Sequence, residues 1–346
     1  MKAMTYDGPG RRIWKDVPDA TVESPEDALV RVDAVTICGS DLHILKGDVP
    51  EVTRGTILGH EAVGTVMEIG TSVSGVKVGD RVLVSCVGGC GRCRFCRANQ
   101  DGQCLRGGGW ALGHLINGTQ AELVRVPFAD RGLHKLPETI PDEQALLLAD
   151  ILPTAYEVGV LNGRVAPGSS VVIVGAGPVG LAAVITARLL TPSRIVVVDP
   201  ASSRREAAVH FGADLAVPGP DEVRAELEAY TEGLGFDTVI EAVGIPATFE
   251  LCTSLVRPGG TVANVGVHGS PVTLHLEDLW IKDVTITTGL VDTYSTPTLL
   301  RLMGEGRVNT EGFVTHRFGL EEMQDGYDVF ERASDTGALK VALFRD

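Results

Sequence analysis

A short run that is apolar after its first residue and ends in glycines constrains this chain most: Ser170-Val-Val-Ile-Val174, then Gly175-Ala-Gly177-Pro178-Val179-Gly180. A continuous run of this length fits a strand buried on both faces of a parallel sheet. A helix-like stretch follows from about Val179 to Leu190, and Arg194-Ile-Val-Val-Val198 is another apolar run. Then come a helix near 203–211, Val217, an acidic helix near 221–230, Asp237-Thr-Val-Ile240, a helix near 247–255 and Gly260-Thr-Val-Ala-Asn-Val265. Strand and helix alternating at this rhythm imply a doubly wound parallel sheet of the Rossmann kind in an α/β protein.

The glycine turn has the spacing GxGxxG between a strand and a helix, the context that gives this motif its meaning. Gly175 suits the tight turn, Gly177 lets a pyrophosphate approach the backbone, and Gly180 lets helix pack on strand. The helix N-terminus, with Pro178 and Val179 at its start, faces the phosphates. Asp199 ends the next strand, 24 residues after Gly175. A carboxylate there accepts hydrogen bonds from ribose hydroxyls and repels a 2′-phosphate, which predicts NAD rather than NADP. Arg204 and Arg205 pull the other way, since either could reach a 2′-phosphate. Without a ligand, the same sequence would be a plain glycine-rich turn.

The first ~135 residues read mostly as strands and turns. Leu29–Ile37, Val63–Ile69 and Asp80–Val84 are β-branched or alternating, with glycines at 59, 70, 75 and 79 between them. Beyond about Gly289 the chain returns to this character, with helix-like 297–303 and 320–331 and a last strand, Leu339–Phe344. A terminal strand is expected to join an existing sheet. The expected organisation is a discontinuous domain, 1–152 with 289–346, carrying a cysteine lobe at 86–110 and interrupted by a dinucleotide-binding domain at 153–288.

Cys90, Cys93, Cys96 and Cys104 share one glycine-rich loop at spacings of two, two and seven residues. Four thiolates so close suit one tetrahedral metal ion, and a closed Cys₄ shell marks a structural zinc. Arg92, Arg94, Arg97 and Arg106 lie on the same loop, and positive charge favours thiolates. Disulfides are the alternative, but Met1-Lys2-Ala3-Met4 does not open a signal peptide and a cytoplasmic protein keeps its thiols reduced. Cys86 begins the lobe, and Cys252 reads as a core thiol.

Composition bounds the rest. The chain has 346 residues, 42 of them glycine, and a formal net charge of −15. That acidity disfavours a nucleic-acid backbone or an anionic membrane as partner, and no apolar run reaches the ~18–20 residues that span a bilayer.

Three further segments carry candidate chemistry: Cys38-Gly-Ser40-Asp41-Leu-His43, Gly59-His60-Glu61, and Asp150 within the apolar run Leu146–Tyr156. Each alone is ambiguous. Ser40 and His43 could be ordinary turn capping, but a buried Asp150 must be paired or bind metal. Together, in order with the Cys₄ lobe and GAGPVG, they make the chain resemble the zinc-dependent medium-chain alcohol dehydrogenases over essentially its whole length. It is most similar to the bacterial secondary-alcohol dehydrogenases and their formaldehyde-dehydrogenase-like relatives. Asp150 stands where animal alcohol dehydrogenases carry a second cysteine, and Gly108-Gly-Trp110 with Leu112-Gly-His114 fits that group too.

The resemblance implies a GroES-like irregular β catalytic domain beside the Rossmann domain, and two zinc ions per chain with NAD. Cys38, His60 and Asp150 would bind the catalytic zinc, leaving a fourth position open. Glu61 would be an outer or alternate ligand, and Asp41 would hydrogen-bond the second nitrogen of His60. Lys340 matches a basic position near the site, here also counted among cofactor contacts. Zinc would act as a Lewis acid on the alcohol while hydride passes to nicotinamide. The proton would leave through Ser40, the nicotinamide ribose and His43. Trp110 and Leu290 are expected at the substrate pocket, and Val265, Gly266, Val267 and His268 at the nicotinamide.

The expected activity is NAD-dependent oxidation of a small or medium primary or secondary alcohol in the cytoplasm. A formaldehyde dehydrogenase or dismutase, or a polyol dehydrogenase, is the alternative within the family. A cofactor-binding protein that no longer catalyses, and a nucleic-acid-binding zinc protein, are the alternatives outside it. Relatives imply a homotetramer or dimer, with strands near 260–269 and 284–288 pairing between subunits.

Overall fold

The computed structural model describes residues 1–345, those at 227 and 228 by backbone alone. The chain forms two compact units. The first holds Met1–Asp150, Asp292–Glu305 and Glu311–Asp346; the second holds Ile151–Val291 and Gly306–Thr310. The short return of 306–310 to the second unit lies inside the stretch that the sequence assigned wholly to the first.

In the first unit a hairpin, β1 (Lys2–Tyr6) and β2 (Arg12–Asp16), precedes β3 (Ala28–Thr36). The helix α1 (Gly39–Lys46) follows, then β4 (Ala62–Ile69), β5 (Arg81–Val84), β6 (Leu123–Val126) and β7 (Leu133–Lys135). β3 alternates between buried and half-buried positions over most of its length, as its sequence alternates.

In the second unit β8 (Ser170–Val174) is buried at all five positions, which is why it is Val and Ile after Ser170, whose hydroxyl donates to Asp237 Oδ2 at 2.8 Å. It leads into α2 (Pro178–Arg188), β9 (Arg194–Val198), α3 (Ser202–His210), β10 (Leu215–Val217), α4 (Pro220–Thr231), β11 (Phe236–Glu241), α5 (Pro246–Leu255), β12 (Val256–Asn264) and β13 (Thr285–Thr288). All neighbours in this sheet are parallel, in the order β10-β9-β8-β11-β12-β13. The order reverses beside β8, which makes its carboxyl end the crevice where such sheets take ligands. Cys252 is fully buried in this core among Leu251, Leu255 and Val262, and burial pushes its thiol up, so it is an inert packing residue.

The chain then returns to the first unit through α6 (Thr296–Gly304), β14 (Val314–Gly319), α7 (Met323–Glu331) and β15 (Lys340–Phe344). β15 joins the first sheet, antiparallel to β3 and parallel to β14, giving the order β14-β15-β3-β4-β5-β7 with β6 also on β3. Among the described residues no helix is long and apolar enough to cross a membrane.

Candidate metal centres and coenzyme site

Three separate turns bring one mixed cluster together in the first unit. Cys38 caps α1 with extended backbone (φ −109°, ψ 159°), so its thiol stands at the end of β3 while Asp41, three residues on, reaches back. Asp41 Oδ2 accepts the Cys38 N–H at 2.9 Å, and Cys38 O accepts the Asp41 N–H at 3.1 Å. His60 and Glu61 leave the turn before β4. That turn needs glycine: Gly59 has φ +89°, and a Cβ there would sit 2.5 Å from Gln120 Cγ. Asp150 ends the first unit's long N-terminal segment. One ligand atom from each of Cys38, His60, Glu61 and Asp150 lies within 4.8 Å of all the others. Asp150 Oδ2 is 3.3 Å from His60 Nε2 and 3.6 Å from Cys38 Sγ. Ser40 Oγ lies 3.4 Å from His60 Nε2, on the side of the ring that faces the cluster.

The electrostatics call for a cation. Cys38, Glu61, Asp150 and Asp41 bring four potential negative charges into a buried site, and Lys340 is the fixed positive one. Lys340 Nζ lies 2.7 Å from Glu61, with both side chains 1% exposed. Burial opposes its charge, but Glu61 and Cys38 outweigh that and keep it protonated. Burial pushes Glu61 up to about 7 despite Lys340, and Asp150 adds to the push. Burial also raises Asp41. For His60, burial favours the neutral ring, yet Asp150 and Cys38 raise it well above the ordinary histidine value. The same anionic neighbours that raise His60 would hold a divalent ion at this point. One thiol, one imidazole and carboxylates around one point suit Zn²⁺, so the residues fit the metal.

Several expectations about this centre change. Asp41 does not hydrogen-bond His60: its Oδ2 accepts from Cys38 N–H and from Gln120 Nε2 at 3.0 Å, and neither its Oδ1 nor His60 Nδ1 has a hydrogen-bond partner. Gln120 in turn accepts from Tyr327 Oη at 2.7 Å, and both are fully buried. Gln120 and Tyr327 were invisible in the sequence, because nothing local marks a partner that arrives from another strand or from α7. Lys340, expected among the coenzyme contacts, places its ammonium against Glu61 in the buried interior. Cys86 is buried near the same centre, its thiol raised by burial first and by Asp150 and Glu61 next, rather than merely opening the cysteine lobe. Trp110 packs edge-on to His60, with ring centroids 5.9 Å apart, and stacks on His114 at 4.4 Å. Leu290 lies in the second unit, 41% exposed.

The second cluster is local. The sulfurs of Cys90, Cys93, Cys96 and Cys104 lie within 4.8 Å of one another, and all seven cysteines are free thiols. Backbone N–H groups point at the sulfurs: Cys93 N and Arg92 N at Cys90 Sγ (3.4 and 3.5 Å), Cys96 N at Cys93 Sγ (3.5 Å), Cys90 N at Cys104 Sγ (3.4 Å). Such donors favour thiolates. The N–H of Cys96, followed by that of Leu105, draws Cys93 down to about 6. Burial raises Cys96 instead. The loop arginines contribute less than their positions suggested: Arg92 is engaged with Glu26 and Arg94 lies over the Phe95 ring. The cation facing the sulfurs is Arg131, anchored at 2.5 Å on the buried Asp101. Four convergent sulfurs with inward N–H donors fit a structural zinc.

The coenzyme turn lies at the carboxyl end of β8. Gly175 has φ +101°, and a Cβ on Gly180 would collide with the Gly175 carbonyl, so strand and helix touch there. Around Gly177, the N-cap of α2, a Cβ would meet no protein atom within 4 Å, which leaves open space at the helix N-terminus. Asp199 is 4% exposed and fixes the turn: its carboxylate accepts the N–H of Ala176 at 2.8 Å and of Ala201 at 2.9 Å. Arg204 Nη1 approaches it to 3.9 Å, and Arg205 donates to the carbonyls of Asp199 and Pro200. Both arginines are thus turned toward the Asp199 segment. At the end of β12, Val265 N–H donates to Glu241 O, Val267 is 65% exposed, and His268 Nε2 lies 2.8 Å from Asn264 Oδ1.

Comparison with known proteins agrees with this picture. Residues 24–138 match the alcohol dehydrogenase GroES-like domain, and residues 178–305 match the zinc-binding dehydrogenase domain. The chain is 35% identical to an alcohol dehydrogenase of Cupriavidus necator, covering 99% of this chain and 98% of that one. It is 37% identical to a probable zinc-binding alcohol dehydrogenase of Mycobacterium tuberculosis, covering all of this chain and 89% of that one. Among solved structures, zinc-dependent alcohol dehydrogenase 2 from Streptococcus pneumonia in its apo form superposes with a TM-score of 0.96 at 47% identity, covering 100% and 99% of the two chains.

Proposed function

The chain belongs to the zinc-dependent medium-chain alcohol dehydrogenases, and within that family we propose that it oxidises a small or medium primary or secondary alcohol with NAD, reversibly. It is a zinc-type oxidoreductase that takes small-molecule alcohols; the coenzyme preference and the residue roles are our reading. The observation that carries it is the convergence of Cys38, His60, Glu61 and Asp150 on one buried point beside Ser40.

Cys38, His60 and Asp150 would hold the catalytic zinc, with Glu61 as outer or alternate ligand, and Cys90, Cys93, Cys96 and Cys104 a structural one. When bound, the catalytic metal supplies Lewis acidity to the alcohol oxygen and the coenzyme accepts the hydride. The chain's own residues do the rest. Ser40 Oγ takes the hydroxyl proton and passes it outward, and His43, one turn further along α1, receives it. Lys340 offsets the charge of Glu61. Gly175, Gly177 and Gly180 admit the pyrophosphate at the start of α2. Asp199 keeps a negative charge where a 2′-phosphate would lie, and the arginines turned toward it are drawn from that phosphate. The first unit is in this reading the catalytic domain and the second the dinucleotide-binding domain.

A homo-oligomer is part of the proposal. β13 is an edge of its sheet, and next to it Trp280 and Ile281 are 75% and 70% exposed. An edge strand leaves backbone groups free to pair with a second copy, and exposed apolar side chains beside it favour that contact. A cytoplasmic location suits the seven free thiols.

The test is coenzyme reduction by purified protein against a panel of primary, secondary and polyhydric alcohols, with NAD and NADP in parallel. Turnover with NAD and simple alcohols supports the reading. Turnover confined to polyols, or to NADP, replaces the corresponding part of it.

A further inference from the structure

The C-terminal end of α1 carries a polar pair that neither the motif nor the family match explains. The helix closes with Gly47 in the left-handed region at φ +89°. Gly47 N–H donates to Ile44 O and Asp48 N–H to His43 O, each at 3.0 Å. This double bond pattern is a Schellman ending, in which the residue two past the last helical position lies over the residue three before it, usually as an apolar contact. Here the two positions are His43 and Asp48, and His43 Nδ1 lies 2.8 Å from Asp48 Oδ2. The His43 side chain is 32% exposed and that of Asp48 44%. A half-exposed pair of this kind adds little to stability. Its definite consequence is orientation: one ring nitrogen is committed and the other is left open.

We propose that Asp48 is a positioning residue for His43. Its carboxylate accepts the Nδ1–H bond, fixes that tautomer, and presents Nε2 with its lone pair as the proton acceptor at the outer end of the path from Ser40. The proton that leaves the alcohol hydroxyl then ends on Nε2, and the resulting imidazolium stays paired with Asp48. A third group that orients a base is a common arrangement wherever imidazole takes a proton. The backbone sets this up unaided: the same Gly47 turn that ends α1 delivers the carboxylate to the ring. The proposal rests on the reading of this site as an alcohol dehydrogenase centre.

The test joins spectroscopy with a double-mutant cycle in the full-length zinc-loaded protein. Ring ¹⁵N spectra of histidine-labelled protein, with His43 assigned from signals lost in His43→Gln, report the tautomer directly. The wild type should show a protonated Nδ1 and a bare Nε2, and Asp48→Ala should shift His43 toward the Nε2–H form. Asp48→Ala should lower kcat by about three- to tenfold with KM little changed, a fraction of what a general base contributes. Asp48→Asn, whose amide oxygen still accepts from Nδ1, should recover part of that loss. In a His43→Gln background Asp48→Ala should cost nothing further. An Nε2–H tautomer in the wild type would overturn the proposal, as would an equal loss of kcat from Asp48→Ala with or without His43. A wild type that turns over no alcohol would remove the functional reading instead, and the tautomer would then decide Asp48 by itself.

Discussion

The two candidate metal-ligand clusters of the first unit are built on opposite plans. The cysteine lobe draws four like ligands from 15 consecutive residues, and backbone N–H groups of the same loop stabilise their sulfurs. The mixed centre draws unlike ligands from positions 38, 60, 61 and 150, and surrounds them with buried charge that one lysine offsets only in part. The first arrangement satisfies its ligands and offers no open position, which suits a staple. The second leaves negative charge to spare around one buried point, which suits a reactive ion.

Removing ligands from each cluster should separate the two roles, and here the largest effects lie. His60→Ala or Asp150→Ala should cut kcat/KM by about a thousandfold or more while the protein keeps its melting temperature within a few degrees and one zinc per chain. Cys96→Ser should instead destabilise the fold, because metal binding at a structural site is itself folding free energy. Equal losses of activity and stability from both sets would erase the distinction. Circular dichroism melts with metal analysis on the same samples measure it.

The charge surplus gives a smaller effect. Lys340→Met leaves Glu61 buried without its cation, and breaking a buried pair in this way costs about 3–5 kcal/mol. Adding Glu61→Gln should return most of that stability, as read by denaturant unfolding. A double variant as unstable as the single one would show that the pair is not what Lys340 is for.

The coenzyme turn sits in the second unit and tests a different claim. Asp199→Gly should raise kcat/KM with NADP relative to NADP use by the wild type by about tenfold or more. Because Asp199 also accepts the Ala176 and Ala201 N–H groups, the same change should lower the melting temperature by a few degrees, from the loss of two hydrogen bonds. An unchanged coenzyme ratio would leave Asp199 as a turn anchor alone.

The last expected effect is a pH dependence from a buried histidine that is not a candidate metal ligand. Burial holds His134 down to about 4 on β7, opposite β5. The unfolded chain therefore binds one proton more than the folded chain between about pH 4 and pH 6.5. Stability from this group is present above that window and is lost as pH falls through it. His134→Gln should flatten the dependence of melting temperature on pH over that window, and an unaltered slope would contradict the assignment.

The same contrast explains how much could be read from the chain. The cysteine lobe and the glycine turn were legible because their ligands are neighbours in sequence and their spacing is itself the geometry. β8 could be placed to the residue because burial on both faces shows as an unbroken Val/Ile run after Ser170. The mixed centre could be assembled only through the motif order shared with a family, since nothing in the neighbourhood of Asp150 says that it will meet Cys38. Gln120, Tyr327 and Cys86 escaped for the same reason. Asp41 was expected to bond His60, but its Oδ2 takes the N–H of its own helix cap and the amide of a glutamine 79 residues away. Asp48 escaped although it lies five residues from His43, because its role depends on how the helix ends rather than on residue type.

The measurement that bears most directly on the account is zinc content per chain in the wild type and in Asp150→Ala, on samples whose alcohol oxidation is assayed in parallel. The account predicts two zinc ions and turnover in the wild type, and one zinc ion without turnover in the variant. One zinc ion in an active wild type, or two in an inactive variant, would contradict it.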